Sequence, residues 1–244
     1  MTSDLKYLFE PRGVIVTGVS SHPGKFGFVA LHNILSCGYE GKVFAIGREE
    51  ATVLEQKVST SLDSVPANEA DLMILCTPVE VNEELLRKAC EKGVKAVFCA
   101  AGGYSETGEE GLKAEKRLVA LASELDLVLA GPNGQGVVSP PAGLCAQIVA
   151  PYAPKGRIAV VSQSGNFVSS FLNYANQTGI GISRSVSAGN AAATGIIDFL
   201  EWFSADPATD VALCYIEGLE KGRDFFERIK AITKKLPIVL VKGG

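Results

Sequence analysis

Histidine is scarce in this chain: His22 and His32 are the only two among 244 residues, and both lie near the N-terminus. A hydrolase triad built on a serine of the second half therefore has no base, and a zinc centre has little to build on. The six cysteines (Cys37, Cys76, Cys90, Cys99, Cys145 and Cys214) form no CxxC pair. Runs such as Leu72-Met73-Ile74-Leu75-Cys76 make them read as small buried hydrophobes of a reducing cytosol. No apolar run approaches the ~18 residues of a membrane span, and the N-terminal MTSDLKYLFEPRG lacks an apolar core of signal-peptide length. A cytoplasmic protein without a membrane partner is expected. Positive charge is not in excess either, with a formal net charge of −4, which argues against nucleic acid as the main partner. A small anionic ligand stays open, because backbone amides bind phosphate on an acidic protein.

What is there is a well-packed composition, 47% hydrophobic and 20% charged, in a chain long enough for two α/β domains. Apolar strands (Gly13–Ser20, Lys42–Gly47, Leu72–Thr77, Ala96–Ala101, Leu127–Ala130) alternate with helical stretches (Phe28–Cys37, Val81–Lys92, Glu109–Leu125). Such near-continuous apolar strands suit a parallel sheet covered on both faces, in a doubly wound fold. A Pro/Gly-rich stretch follows, with Pro140, Pro141, Gly143, Pro151 and Pro154, and 136–155 reads as an inter-domain linker. The alternation then restarts: strands at Arg157–Val161, Ile182–Ser187, Val211–Ile216 and Pro237–Val241, helices at Asn166–Asn176, Thr194–Ser204 and Asp224–Lys234. The predicted division is 1–135, the linker, and 156–244. A last strand followed by Lys242-Gly243-Gly244, with no covering helix, reads as a boundary within a longer protein. The second domain is expected to be incomplete at its C-terminus.

The loop Thr17–Gly27 leaves a strand and opens a helix. Its glycines admit an anion to the backbone, the helix start offers N–H groups, and Ser20, Ser21 and Lys25 add donors. The spacing Gly18-x5-Gly24-x2-Gly27 is neither the dinucleotide fingerprint nor a Walker A loop. A phosphate-bearing ligand is one reading, an ordinary strand–helix turn the other. At the end of the second strand Arg48 and the neighbouring Glu49 and Glu50 point in opposite directions, toward a ribose phosphate or a ribose diol; a solvated charge cluster is equally open. Thr77-Pro78, Ala100–Glu106 and Gly131-Pro132-Asn133-Gly134 follow successive strands at the edge where open α/β sheets bind ligands. In the second half, Ser162-Gln163-Ser164-Gly165 between strand and helix makes an anion site suited to a phosphoryl group. Glu217 sits at the tip of an apolar strand, as a functional carboxylate or as a capping or salt-bridging one.

Taken in order, these motifs resemble the family of NDP-forming acyl-CoA synthetases, in the α subunit of succinyl-CoA synthetases and the α-like region of ADP-forming acetyl-CoA synthetases. The motifs are Phe9-Glu10-Pro11-Arg12, the Gly18–Gly27 loop, Ala101–Glu106, Gly131-Pro132-Asn133, Ser162–Gly165, Gly189-Asn190 and Tyr215-Ile216-Glu217-Gly218. The resemblance implies a Rossmann-like CoA-binding domain followed by a flavodoxin-like ligase domain. It assigns Gly18, Ser20, Pro23, Lys25, Phe26, Gly27 and Arg48 to the nucleotide end of CoA, and Thr77 and Pro78 further along. Gly103, Tyr104 and Asn133 would lie toward the pantetheine and thiol. Ser162, Gln163, Ser164 and Gly165 would receive phosphate, and Glu217 would support a phosphohistidine, with Glu217 and Asn133 the catalytic candidates and no metal on this chain. The implied reaction joins a small carboxylic acid to CoA at the expense of ATP or GTP. Mg2+ and the nucleotide would be handled by a β-type ATP-grasp subunit or fused domain.

Three departures qualify the resemblance. No histidine after His32 fills the family's phosphohistidine role, so this chain alone is expected to be inactive. Ile46-Gly47-Arg48 stands where the family often has Asn-Pro-Lys, and Gly134 follows Asn133 where a cysteine is frequent. An unfinished second sheet implies an exposed edge, and hence an oligomer. The alternatives are a non-catalytic CoA-sensing module of an acetyltransferase-type fusion and an NAD(P)-dependent oxidoreductase.

Overall fold

The computed structural model describes residues 5–149, 152–219 and 222–243; Pro151 of the expected linker and the terminal Gly244 fall outside them. After a short helix α1 (Lys6–Phe9), the first half builds strands β1 (Gly13–Val19), β2 (Lys42–Gly47), β3 (Ala51–Val53), β4 (Gln56–Ser59), β5 (Leu72–Leu75), β6 (Ala96–Cys99) and β7 (Val128–Ala130). Helices α2 (Phe26–Ser36), α3 (Val79–Glu91) and α4 (Glu109–Glu124) connect them. The strand order is β3-β4-β2-β1-β5-β6-β7, parallel except for β3. The order reverses between β1 and β5, so a crevice opens at their carboxyl ends, where doubly wound sheets take their ligands. Strands β5 and β6 are buried along their whole length, as a sheet covered on both faces requires. On α3 the buried side chains Asn82, Leu86 and Ala89 fall on one helical stripe.

The second half repeats the plan with β8 (Gly136–Ser139), β9 (Leu144–Gln147), β10 (Lys155–Ser162), β11 (Ile182–Ser187), β12 (Val211–Ile216) and β13 (Ile238–Lys242). Its helices are α5 (Gly165–Thr178), α6 (Ile196–Phe203) and α7 (Gly222–Ile232). The order β13-β12-β10-β11-β8-β9 places a second reversal between β10 and β12, the flavodoxin-like arrangement. At the sheet edge, β13 leaves Val239, Leu240 and Val241 at 56%, 40% and 41% exposure.

Of the stretch expected as a linker, residues 136–147 are built into the second sheet. They form β8 and β9, an antiparallel hairpin whose first strand pairs with β11 from Gly136 to Val138. Its turn gathers Pro140, Pro141 and Gly143, where Pro140–Ala142 make one 3-10 turn closed by a left-handed Gly143. Both strands of the hairpin are fully buried. The short β3–β4 hairpin is likewise not expected from the sequence. Its turn is made by Leu54 and Glu55, both at positive φ, where neither glycine nor asparagine signals a turn.

The two halves share a core. Residues from α1, α2, β1 and β6 join residues from β8, β10, β12 and α6 in one continuous apolar cluster. Phe9 is buried and stacks on Trp202 at 5.0 Å between centroids, a contact worth about 0.5–1.5 kcal/mol beyond its area. Beside it Arg184 is 2% exposed and pairs with Asp206, 3% exposed, at 2.9 Å. Arg184 also donates to Ser139 and reaches across to Glu10. The Phe9-Glu10-Pro11-Arg12 motif is thus an architectural one: Phe9 and Glu10 bind the second half, and Arg12 forks onto Asp71 within the first.

Candidate functional site

Beginning at β1, Gly18 has φ +70, and a Cβ there would strike the carbonyl of Cys76, just past the end of β5. A Cβ on Gly27 would strike the carbonyl of Gly18. Gly27 is therefore buried, and its part is to let α2 close on β1, not to line a ligand. Between them the loop is solvent-facing: Pro23, Lys25 and Phe26 are exposed, and Ser20 is half-buried. No side chain caps α2, so its first N–H groups face outward with the helix's positive end. His22 shapes the loop from within, its Nδ1 accepting the Gly24 N–H at 3.1 Å. Arg48 is exposed at the end of β2, the strand beside β1. Glycine packing, an uncapped helix start and Lys25 suit a phosphate-bearing nucleotide.

Across the crevice, Thr77 donates to Asn82 Oδ1 at 2.6 Å, and Asn82 Nδ2 donates to the Tyr104 hydroxyl at 2.8 Å. Thr17 Oγ1 stands 3.4 Å from Thr77 Oγ1. These groups form a polar thread through the first half, joining the end of β1, the end of β5 and the 101–106 loop. Tyr104, expected to face the ligand, is instead fully buried, because its ring fills the core between β6 and α4 and its hydroxyl is bound by Asn82. Burial pushes its phenol well above the ordinary range, and the neighbouring Cys99 thiol adds to this. Cys99 itself is pushed up to about 12 by burial, so neither group ionises in ordinary conditions.

Gly103, in contrast, is exposed with φ +101. Its N–H and that of Tyr104 donate to Glu106 Oε1 at 2.5 and 3.1 Å. Asn133 is exposed with φ +58, directly after a cis Gly131–Pro132 bond. Burial alone would raise the Glu106 carboxyl. Hydrogen bonds from Asn190 and from the Gly103 and Tyr104 amides outweigh it and hold the group below the usual carboxylate range.

On the second half Ser162 is buried, its Oγ accepting from Ser164 N and donating to Ser164 O, both at 2.9 Å. Ser164 caps α5 by accepting the Phe167 N–H. Gln163 Oε1 accepts the N–H groups of Glu217 and Gly218 at 2.7 and 3.1 Å, bridging the second reversal point from β10 to the loop after β12. A Cβ on Gly165 would collide with Gln135. Glu217 stands exposed at the end of β12. A cleft of about 1040 Å³ opens between α4 and the α6–α7 pair, with Ser105, Glu115, Asn190 and Gln163 on its walls. Among the described residues no group of three or more His, Cys, Asp or Glu side chains is placed to hold a metal ion.

The structure therefore gathers Gly18, Ser20, Pro23, Lys25, Phe26, Arg48, Thr77 and Pro78 around the first reversal point, and Ser162–Gly165 with Glu217 around the second. Gly103 and Asn133 lie where the halves meet. Asn190, Glu106, Glu115 and Asn82 have no role assigned from sequence, although two of them lie in quoted motifs. Asn82 carries a readable signal, a polar residue on the apolar stripe of α3.

These features define a class: two α/β units on a shared core, each with a reversal of strand order, whose strand-end loops meet at Asn190. The chain belongs to the family described as "CoA binding domain", whose model matches residues 12–140. The model for "Succinyl-CoA ligase like flavodoxin domain" matches residues 155–244, the pairing expected of an α-like region of NDP-forming acyl-CoA synthetases. The α subunit of acetate–CoA ligase [ADP-forming] I from Pyrococcus furiosus is 36% identical over 98% of this chain and 53% of its own length. Acetate–CoA ligase [ADP-forming] I from Archaeoglobus fulgidus is 33% identical over 98% of this chain and 35% of its own length. A solved structure of dinucleotide-forming acetyl-coenzyme A synthetase 1 from Ca. Korarchaeum cryptofilum, in complex with phosphate and ADP, superposes with a TM-score of 0.92 at 31% identity. That superposition covers 100% of this chain and 52% of the other. The chain thus spans about half the length, or less, of these relatives. They are ligases and synthetases, and neither the acetyltransferase-type module nor the oxidoreductase finds support among them.

Proposed function

We propose that this chain is the CoA-handling part of an ADP- or GDP-forming acyl-CoA synthetase, an acid–thiol ligase. The observation that supports this most is the pairing of an uncapped, lysine-bearing loop at the first reversal point with a serine-rich helix start at the second. In this reading Gly18, Ser20, Pro23, Lys25, Phe26 and Arg48 hold the nucleotide end of CoA, with Gly27 permitting the close approach of α2. Thr77 and Pro78 flank the pantetheine arm, and Gly103 and Asn133 face its far end. When bound, CoA supplies the thiol that becomes the thioester. This chain's residues bind it, orient it and keep the thiol end between the halves. Ser164, Gly165 and the start of α5 stabilise phosphoryl charge by position and dipole, the help that phosphoryl transfer mainly needs. Glu217 is placed to orient a cationic or protonated carrier there.

The carboxylic acid substrate, the ATP or GTP with Mg2+, and a β-type ATP-grasp subunit or fused domain complete the reaction in this proposal. No histidine between residues 33 and 244 offers itself as the phosphoryl carrier, so this chain by itself is inactive in turnover. The boundary between the halves is placed near residue 135, with the β8–β9 hairpin assigned to the second. No helix among the described residues is long and apolar enough to cross a membrane, and a cytoplasmic, oligomeric protein that binds no nucleic acid fits the reading.

Parallel calorimetric titrations with CoA, dephospho-CoA and NADP test it. Saturable CoA binding that weakens without the 3′-phosphate is the expected result. NADP binding without CoA binding would overturn the reading.

A further inference from the structure

At the ligand edge, one side-chain amide ties the two halves. Asn190 follows β11 in the second half, yet its Nδ2 lies 3.0 Å from Ser105 Oγ, 2.8 Å from Glu106 Oε2 and 2.7 Å from Glu115 Oε2. All three acceptors belong to the first half. Asn190 Oδ1 in turn accepts from Asn133 Nδ2 at 3.3 Å, and its backbone N–H donates to Pro132 O at 2.9 Å. The approach is possible because Gly189 has φ +57 and a Cβ there would collide with the Pro132 carbonyl.

The amide carries two hydrogens against three acceptors, two of them carboxylates. Glu115 is 8% exposed, so the donor it loses is not readily replaced by water. Glu106 passes the constraint on: its Oε2 is held by Asn190, while its Oε1 accepts from the Gly103 and Tyr104 amides. A continuous path therefore runs from the second half, through Asn190 and Glu106, to the backbone of the 102–104 loop. A second path runs through Asn133.

We infer that Asn190 is a positioning residue for the pantetheine and thiol end of CoA, so that the first half grips that end only when the second half is docked. The inference rests on the CoA reading of the first half. Replacing the donor by an acceptor would set three carboxylates against one another and free the 102–104 loop. The nucleotide end, held at the first reversal point, would not feel it.

The test is titration of the wild type, Asn190→Asp, Asn190→Ala and the double variant N190D/E106Q with CoA and with adenosine 3′,5′-bisphosphate, which lacks the pantetheine arm. Asn190→Asp is expected to weaken CoA about 10-fold, the loss of one charge-assisted hydrogen bond, while adenosine bisphosphate affinity stays within about 2-fold. Asn190→Ala, which adds no charge, gives a smaller loss with the same ligand selectivity, and it serves if the aspartate variant does not fold. In the double variant the amide introduced by E106Q donates to the carboxylate introduced by N190D. Its carbonyl oxygen still accepts from the 103–104 amides, so most of the CoA affinity returns. Equal weakening of both ligands, unchanged CoA affinity in the single variants, or no recovery in the double variant would overturn the inference. A wild-type chain that binds neither ligand would overturn the CoA reading itself, and this inference with it.

Discussion

The two ligand-edge loops solve the same geometric problem in opposite ways. The loop after β1 is open: α2 has no side-chain cap, and Lys25 and Phe26 face solvent. The loop after β10 is closed on itself, with Ser162 bonded to both backbone groups of Ser164, Ser164 capping α5, and Gln163 spanning to Glu217 and Gly218. An open loop with a cationic side chain suits a ligand that arrives, stays and brings its own charge. A loop already satisfied by its own side chains is rigid before anything binds, which suits a charge that is present only briefly. Under the proposed function, the difference is the one expected between a site that holds a ligand and a site that stabilises a transfer.

The comparison breaks most completely if the halves separate. Arg184→Ala would cut the tie to Glu10 of the first half and leave Asp206 of the second buried without its charged partner, and a loss of about 3–5 kcal/mol is expected, read by urea denaturation. A loss below about 1 kcal/mol, the range of exposed pairs, would show that the Ala208 N–H and the Thr209 hydroxyl satisfy Asp206 without Arg184. Next in size, Gly27→Ala forces α2 away from the Gly18 carbonyl and is expected to cost roughly 1–3 kcal/mol and to weaken CoA. Unchanged CoA affinity would mean that the first loop does not depend on that close approach. Ser162→Ala removes the bracket around Ser164 and is expected to cost about 1 kcal/mol with CoA affinity unaltered, since Ser162 stands at the second reversal point and not the first.

The smallest effect concerns acid stability at the far end of the first sheet. Burial alone would raise the Asp71 carboxyl, but the hydrogen bonds and charge of Arg12 hold it below its ordinary value. Its contribution is therefore fully present above the unfolded carboxylate range near pH ~3.9 and is lost as pH falls through the lower folded value. The gap in Tm between wild type and Asp71→Asn should stay level from neutral pH to about pH 5 and close below it. A gap that widened in acid would refute the sign.

The parallel strands and their covering helices were legible because apolar runs and helical periodicity carry them directly. Lys42–Gly47, Ile182–Ser187 and Val211–Ile216 fall at their expected limits. The β8–β9 hairpin was hidden by its own turn: Pro140, Pro141 and Gly143 dominate the local composition, while Val137, Val138, Leu144 and Ala146 carry the strand signal too briefly to outweigh them. Site legibility divided along similar lines. Glycine-rich loops after strands announce where a ligand edge lies. Whether a side chain such as Tyr104 faces that edge or the core depends on partners far away in sequence, here Asn82 and the β6–α4 packing, which no local pattern encodes. Asn190 belongs to the same kind, since its side-chain partners stand 57 to 85 positions earlier.

The β8–β9 hairpin has a consequence for how such a protein is inherited. Its strands continue the second sheet, yet Asn33 on α2 of the first half donates to the carbonyls of Gln147 and Val149 on and just after β9, and Cys37 points its thiol at the carbonyl of Gly143. A genetic crossover placed inside residues 136–149 would divide a strand pair from its sheet and strip α2 of its partners in one stroke. Recombination that exchanges first halves between lineages should therefore succeed best when the hairpin travels with the α2 that packs on it, making this segment a seam between the two halves.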